Sequence, residues 1–116
     1  MVVWQRAMDL LVHAHRIADL LPATQRYALA DQLRRAAVSV PANIAEGAGR
    51  VHRGDYVHHL SVARGSAREL ESHFEAIRRL GYLDDSTLAP AEDLADHVSR
   101  LLMRLIARLR SLPITR

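Results

Sequence analysis

Acidic residues stand four positions before a histidine at four places in the chain, and this spacing is the first arrangement that suggests chemistry. The pairs are Asp9/His13, Asp55/His59, Glu69/His73 and Asp93/His97. Side chains four residues apart on a helix are neighbours, and an acid on the N-terminal side favours an ion pair with a protonated histidine. We interpret the pairs as solvated surface contacts, with half-sites for a metal ion between helices as the alternative.

A complete catalytic or metal-binding set is missing from the sequence. Helical proteins with carboxylate di-iron centres use Glu-x-x-His pairs, and none of the five glutamates here has a histidine three positions later. Cysteine is absent, which excludes disulfides, thiolate zinc sites and cysteine nucleophiles. No nucleophile elbow or phosphate-binding loop is recognisable. The sequence therefore predicts a protein that is not an enzyme and has no metal or cofactor.

Arginine supplies the entire basic complement, because all 16 basic residues of the 116-residue chain are arginines. The formal net charge is only +3, yet the isoelectric point is about 10.2, since arginine keeps its proton far above neutral pH. This balance permits an anionic partner without requiring one.

The elements that would position these side chains are helices. Apolar residues recur at the three- or four-residue spacing of a buried helical face in four stretches, at about residues 4–21, 25–47, 55–80 and 86–112. Pro22 ends the first stretch, Tyr27 is counted in the second, and Gly81 is a C-cap residue for the third. Few aromatic and β-branched residues argue against a sheet. The sequence predicts an all-α single domain, residues 1–116, folded as an up-down-up-down antiparallel four-helix bundle.

Two prolines and one broad apolar stripe refine this expectation. Pro41 lies inside the second helix and predicts a kink there, because it cannot donate to the carbonyl of Ala37. Pro90 predicts either a broken first turn of the fourth helix or a helix that starts at Pro90 itself. The apolar stripe from Leu94 to Leu112 is wider than one packing seam. We expect part of it to form a contact between subunits, the alternative being a broad face packed on its own bundle.

The predicted topology separates the charges into two poles. The basic pole comprises residues 1–8, 44–60 and 101–116, where seven arginines and two acids leave a formal charge of +5. The acidic pole comprises residues 17–31 and 75–93, where three arginines and seven acids leave a formal charge of −4. The monomer should therefore be electrically polar.

The basic pole is the candidate binding surface. We expect RNA or DNA to contact Arg50, Arg53, Arg104, Arg108 and Arg110. Aromatic residues available for stacking are scarce, so these contacts would be mainly to phosphate and weakly selective for sequence. The alternative is that the arginines only solvate the surface.

Five segments resemble the four-helix-bundle proteins encoded in intervening sequences of bacterial 23S rRNA genes. They are residues 3–10, 32–47, 63–66, 69–71 and 80–83. The chain is also similar to the accessory protein of diversity-generating retroelements. The resemblance implies a non-enzymatic bundle that assembles into a homo-oligomeric ring, a pentamer. In the retroelement protein the ring is basic, binds nucleic acid and engages a reverse transcriptase.

The resemblance also marks a set of motif residues without giving their roles: Arg34, Arg35, Ser39, Pro41, Asn43, Glu46 and Gly47. We expect Ser39 and Asn43 to hydrogen-bond backbone groups freed by Pro41. Glu46 is expected to pair with Arg34, Arg35 or Arg50. One departure from the family pattern is that residues 51–54 replace a Ser/Thr-rich cap before the third helix.

Two functions follow as expectations. The first is a homo-oligomeric bundle that binds nucleic acid non-specifically through the basic pole, and the second is a protein-interaction scaffold with no nucleic-acid ligand. No segment approaches the roughly 18 apolar residues of a membrane helix, and no signal peptide is recognisable. The sequence therefore predicts a cytoplasmic protein without a membrane partner.

Overall fold

Four α-helices pack in sequence order and close into a bundle. The computed structural model describes residues 1–113. The helices are α1 (Val2–Leu20), α2 (Leu29–Ala48), α3 (Arg53–Arg79) and α4 (Asp85–Ser111). Each helix packs on the next, and α1 also packs on α4, in a molecule of 54 × 24 × 19 Å. The predicted all-α four-helix bundle is confirmed.

A single apolar core runs along the bundle axis. Leu10 of α1, Leu33 of α2, Phe74 of α3 and Leu102 of α4 are fully buried in it. Burial of a large apolar side chain contributes about 1.5–3 kcal/mol, so the core is the main source of stability. Alanines fill much of the remaining interface and allow the helices to approach closely.

The link between α1 and α2 differs from the prediction of a helix that starts near residue 25. Ala23–Gln25 forms a short 3₁₀ helix, and α2 begins only at Leu29. Tyr27, which the apolar pattern had assigned to the helix, is 88% exposed in the intervening turn. Gln25 Nε2 donates to the Tyr82 hydroxyl at 3.0 Å, which ties this link to the loop between α3 and α4.

The loop between α3 and α4 is short because both helix ends are capped locally. Gly81 adopts a φ of +76°, a left-handed conformation that favours glycine. Its N–H donates to the Arg78 carbonyl at 3.0 Å, and the Tyr82 N–H donates to the Ile77 carbonyl at 3.1 Å. These two bonds form a Schellman motif. Asp84 then caps α4 by accepting from the Thr87 N–H at 2.9 Å.

Both internal prolines lie inside continuous helices. Pro90 is the sixth residue of α4, which begins at Asp85, so the expectation of a helix starting at Pro90 is wrong. The Ser86 carbonyl that loses its donor belongs to an exposed residue, where water can satisfy it. Pro41 is buried within α2, which continues to Ala48. The kink at Pro41 stays a prediction.

The wide stripe of α4 is divided between the core and the surface. Val98, Leu102 and Ile106 are buried, whereas Leu101 and Leu105 are half-buried at the edge of the core. The chain's own helices therefore cover only part of this stripe.

Candidate functional site

Four helix ends meet at the basic pole. Met1 and Trp4 of the α1 end lie beside Ile44 of the α2 end, and the start of α3 contacts the end of α4 through Arg53. Within residues 1–113 this pole has six arginines and two acids, a formal side-chain charge of +4. Arg116, which was counted in the predicted charge, lies outside the described residues.

Three of the five predicted binding residues are exposed on the last turns of α4. Arg104 and Arg108 are four residues apart and share a face, whereas Arg110 is directed towards α3. Among the described residues, none of the three has an acidic partner within ion-pair distance. Arg100, one turn earlier, is paired with Asp96 at 2.9 Å. The end of α4 is therefore the part of the pole whose cations are available to a ligand.

The other two predicted binding residues are engaged within the chain. Arg50 pairs with Glu46, with Nη2 and Oε1 2.6 Å apart. Arg53 Nη1 donates to the Leu112 carbonyl at 2.8 Å, which satisfies an acceptor just beyond the end of α4. His52, the N-cap residue of α3, makes no capping hydrogen bond through its side chain. Arg53 thus connects two helix ends in addition to adding charge.

The motif arginines lie away from the pole and are neutralised. Arg34 Nη2 is 2.7 Å from Asp19 Oδ1 on α1, and Arg35 Nη2 is 2.6 Å from Asp31 Oδ2 on α2. Of the three partners expected for Glu46, the structure therefore selects Arg50.

Ser39 and Asn43 belong to a polar cluster between α2 and α3. Asn43 Nδ2 donates to the Ser39 carbonyl at 2.9 Å and to Ser39 Oγ at 3.1 Å. Ser66 Oγ donates to Ser39 Oγ at 2.8 Å, and His59 Nδ1 donates to Asn43 Oδ1 at 3.1 Å. The expectation of bonds to a group freed by Pro41 is wrong in detail, because the freed carbonyl belongs to Ala37. The cluster joins two helices instead.

His59 and Ser66 are the members of this cluster that sequence reasoning missed. His59 had been assigned to a surface pair with Asp55, but its hydrogen-bond partner is Asn43. In the described part of the chain, only the Glu69/His73 pair forms the expected contact, with Oε2 and Nε2 3.0 Å apart. Helical spacing identifies neighbours along one helix and carries no signal for a partner on another helix.

Gly47 explains how α2 and α3 come so close. A Cβ atom on Gly47 would lie 2.8 Å from His59 Cβ, 3.0 Å from Tyr56 Cδ1 and 3.2 Å from the Tyr56 carbonyl oxygen. Only glycine fits this crossing without moving a helix. The motif glycine therefore has a packing role.

The acidic pole is held together by Arg78 of α3. Its guanidinium contacts Glu75 at 2.6 Å and Asp85 at 2.5 Å, and it also hydrogen-bonds Glu92 of α4. Hydrogen bonds from Arg79 and then Arg78 lower the pKa of Glu75. Hydrogen bonds to Glu92, Asp85 and Glu75 raise the pKa of Arg78. This pole is a network of ion pairs that joins α3 to α4.

Residues 1–113 contain no group of three or more histidine, aspartate or glutamate side chains that is placed to hold a metal ion. Burial raises the pKa of Glu71, and this rise is partly offset by Arg68, whose Nη1 is 3.3 Å from Glu71 Oε2.

Within residues 1–113, no helix is sufficiently long and apolar to cross a membrane.

Comparison with known proteins agrees with the fold. A solved protein of unknown function from the S23 ribosomal protein family of Bacteroides thetaiotaomicron superposes with a TM-score of 0.85. The two sequences are 23% identical, and the match covers 91% of this chain and 96% of that one. No curated protein matches the chain. The family model of the 23S rRNA-intervening sequence protein matches residues 1–104. On this evidence, the chain belongs to the 23S rRNA-intervening sequence protein family.

Proposed function

We propose that the protein is a non-enzymatic homo-oligomer that binds RNA or DNA through its basic pole. The observation that carries the proposal is the group of three arginines at the end of α4, Arg104, Arg108 and Arg110, which have no ion pair among residues 1–113 and lie on the pole with a formal side-chain charge of +4. Guanidinium groups bind phosphate through paired hydrogen bonds. Phosphate contacts fix position without reading sequence, so the binding is non-specific.

The oligomer is a ring of five subunits in this proposal, as the resemblance of the sequence implies. The half-buried leucines of α4, Leu101 and Leu105, support a contact between subunits, because the chain's own helices cover them incompletely. A ring would repeat the basic pole around its axis and multiply the phosphate contacts. The proposed location is the cytoplasm. A monomer mass at micromolar concentration in analytical ultracentrifugation would reject the ring.

A salt titration tests nucleic-acid binding. Fluorescence anisotropy with a labelled single-stranded RNA and a labelled duplex DNA should show affinity falling steeply between about 50 and 200 mM salt. The double variant Arg104→Ala/Arg108→Ala should weaken binding and flatten the salt dependence. The control is Arg26→Ala/Arg79→Ala, which removes the same charge from the acidic pole and should bind as the wild type does. Absence of binding by the wild type at about 50 mM salt would reject the proposal.

A protein-interaction scaffold is the second candidate function. Exposed apolar side chains favour it, including Val38 at 49%, Val62 at 40% and Met103 at 50% exposure. A protein that co-purifies with the chain after nuclease treatment, and that is lost in Met103→Ser, would support this candidate. Loss of every partner on nuclease treatment would support nucleic-acid binding instead.

A further inference from the structure

A groove between α3 and α4 lies next to the basic pole and has a volume of about 330 Å³. It is lined by Ser61, Arg64, Met103, Ile106, Ala107 and Arg110. Its lining contains two guanidinium groups and one hydroxyl but no acid. The volume is at the lower end of the range of roughly 300–1,000 Å³ for small-molecule sites. The groove therefore has room for a small ligand, and the charge of its lining suits an anionic one.

Arg64 shows that the groove is incompletely satisfied. Its Nε is buried without a hydrogen-bond partner among residues 1–113. An unpaired buried donor is unfavourable and is uncommon in native proteins. The side chain as a whole is only half-buried and lines the groove. Its Nε thus has a hydrogen-bonding capacity that residues 1–113 do not use, and the side chain lines the groove between α3 and α4.

Two other arginines of these helices, Arg68 and Arg100, are neutralised. Arg68, one turn after Arg64 on α3, has its Nη1 3.3 Å from Glu71 Oε2. Arg100 of α4 is paired with Asp96 at 2.9 Å. Neither Arg64 nor Arg110 has a carboxylate within ion-pair distance among residues 1–113, although the charge of Arg64, like that of Arg68, acts to lower the pKa of Glu71. Of the arginines of α3 and α4 that have no ion pair among residues 1–113, Arg64 and Arg110 line the groove, whereas Arg104 and Arg108 do not.

We propose that the groove binds one phosphate group of a nucleic-acid backbone. Arg64 and Arg110 donate to the phosphate oxygens from two helices, and the Ser61 hydroxyl adds a third donor. Donors that converge from separate elements suit a tetrahedral anion, whereas the planar carboxylate of a protein partner matches the fork of a single arginine. The sugar lies against Met103 and Ile106. The identity of the ligand as nucleic acid rests on the proposed function, and the groove adds Ser61 and Arg64 to the residues assigned to it.

Two matched double variants test the groove. Arg64→Met/Arg110→Met removes both groove cations and keeps an apolar stem at each position. Arg68→Met/Arg100→Met removes the same charge from the same two helices outside the groove. In the anisotropy titration with single-stranded RNA, the groove variant should bind about tenfold more weakly than the control variant. Its salt slope should be smaller by about 0.7, the value for one phosphate contact on a single strand.

Further variants and ligands distinguish phosphate binding in the groove from a folding defect, from binding elsewhere on the pole and from a protein partner. The single variant Arg110→Met, at an exposed position, should also weaken RNA binding, so the test does not depend on whether the Arg64 variant folds. Equal losses of RNA affinity in the two double variants would contradict phosphate binding in the groove, and the proposal that the pole binds nucleic acid would still stand. If a polyglutamate peptide depends on Arg64 and Arg110 and RNA does not, the site is for a protein partner and the inference is wrong.

The remaining case is that wild-type protein binds no RNA, which would reject the proposed function. The groove is then judged by NMR titration with adenosine monophosphate and with inorganic phosphate. Shifts of the Ser61, Arg64 and Arg110 amide signals in the wild type, absent from the groove variant, would retain a phosphate site for a free ligand. If neither compound shifts these signals, phosphate binding in the groove is rejected as well.

Discussion

Replacing Gly47 by alanine tests whether the motif glycine is required by the crossing of α2 and α3. The substitution adds one methyl group at a position where a Cβ would lie 2.8 Å from His59 Cβ and 3.0 Å from Tyr56 Cδ1. The His59 Cβ is attached directly to the α3 backbone, so it cannot move aside without the helix. We therefore expect the two helices to separate locally and the polar contact between Asn43 and His59 to weaken.

The magnitude follows from two opposing terms. Alanine is favoured over glycine in a helix by about 0.8–1 kcal/mol, and this gain is reduced at Gly47 because it is the penultimate residue of α2. Forcing an extra methyl group into a packed interface costs about 1–3 kcal/mol. The steric term is the larger one, so Gly47→Ala should lower the free energy of unfolding by about 1–2 kcal/mol.

Gly65→Ala is the matched control, since it is the same substitution at the exposed midpoint of α3. Apart from the neighbouring residues and backbone of α3 itself, no atom of the described residues lies within 4 Å of the position of a Cβ at Gly65. Only the higher helix propensity of alanine remains, so the free energy of unfolding of this variant should increase by about 1 kcal/mol. Urea unfolding of both variants and the wild type, at one protein concentration, measures the two changes. If Gly47→Ala stabilised the protein as much as Gly65→Ala does, the close approach would have no energetic consequence and the reasoning would be refuted.

Three further changes test the core and the acidic pole. Ser99 is 4% exposed and its Oγ has no partner among residues 1–113, so Ser99→Ala should stabilise the protein by about 1 kcal/mol in urea unfolding; a destabilised variant would indicate that this hydroxyl has a partner. Asp84→Ala should lower the free energy of unfolding by about 1 kcal/mol, because the N-cap of α4 is lost. Asp84→Asn keeps an accepting oxygen and should lower it much less. Equal losses of stability in the two variants would exclude capping as the cause. The lowered pKa of Glu75 means that its contribution to stability is present above its ordinary value of 4.5 and is lost as the pH falls through the lower folded value. Glu75→Gln should therefore make the acid-induced loss of stability smaller, and a pH series of urea curves identical to that of the wild type would contradict the role of its bonds to Arg79 and Arg78.

The spacing of apolar residues and the positions of helix-breaking residues predicted the helices well, because both depend on interactions between residues that are close in sequence. The apolar spacing fixes which face of a helix is buried, and Gly81 marks a turn whose backbone conformation favours glycine. The start of α2 was missed because apolar Tyr27 fits the spacing although it lies in a turn, and the link is tied by Gln25 to Tyr82, 57 residues away. The start of α4 was predicted to within one residue, at 86 against the observed Asp85, because the segment Asp84–Ser86 marks a helix start locally; only the alternative of a helix that begins at Pro90 is wrong.

The charge of the basic pole could be predicted from topology, but the partners of its arginines could not. Arg50 and Arg53 were assigned to ligand binding with the same weight as Arg104, because a count of charges does not distinguish a paired cation from a free one. The structure separates them through Glu46 and the Leu112 carbonyl. Arg64 was not a candidate, since the groove that it lines exists only once α3 and α4 are packed together.

The recognisable motif and the candidate binding surface lie on different elements, and this separation limits what family membership implies. The motif residues of α2 are used within the chain: Gly47 sets the helix crossing, Asn43 joins α2 to α3, and Arg34 pairs with α1. These contacts specify the bundle and leave little capacity for a ligand. Among residues 1–113, the unpaired arginines of the basic pole lie at the end of α4, and Arg108 and Arg110 are beyond the matched residues 1–104. A chain with the same motif and a neutral end of α4 should therefore form the same bundle and fail to bind RNA. The charge at the end of α4, and not the motif, is the feature to compare when nucleic-acid binding is inferred for a member of the family.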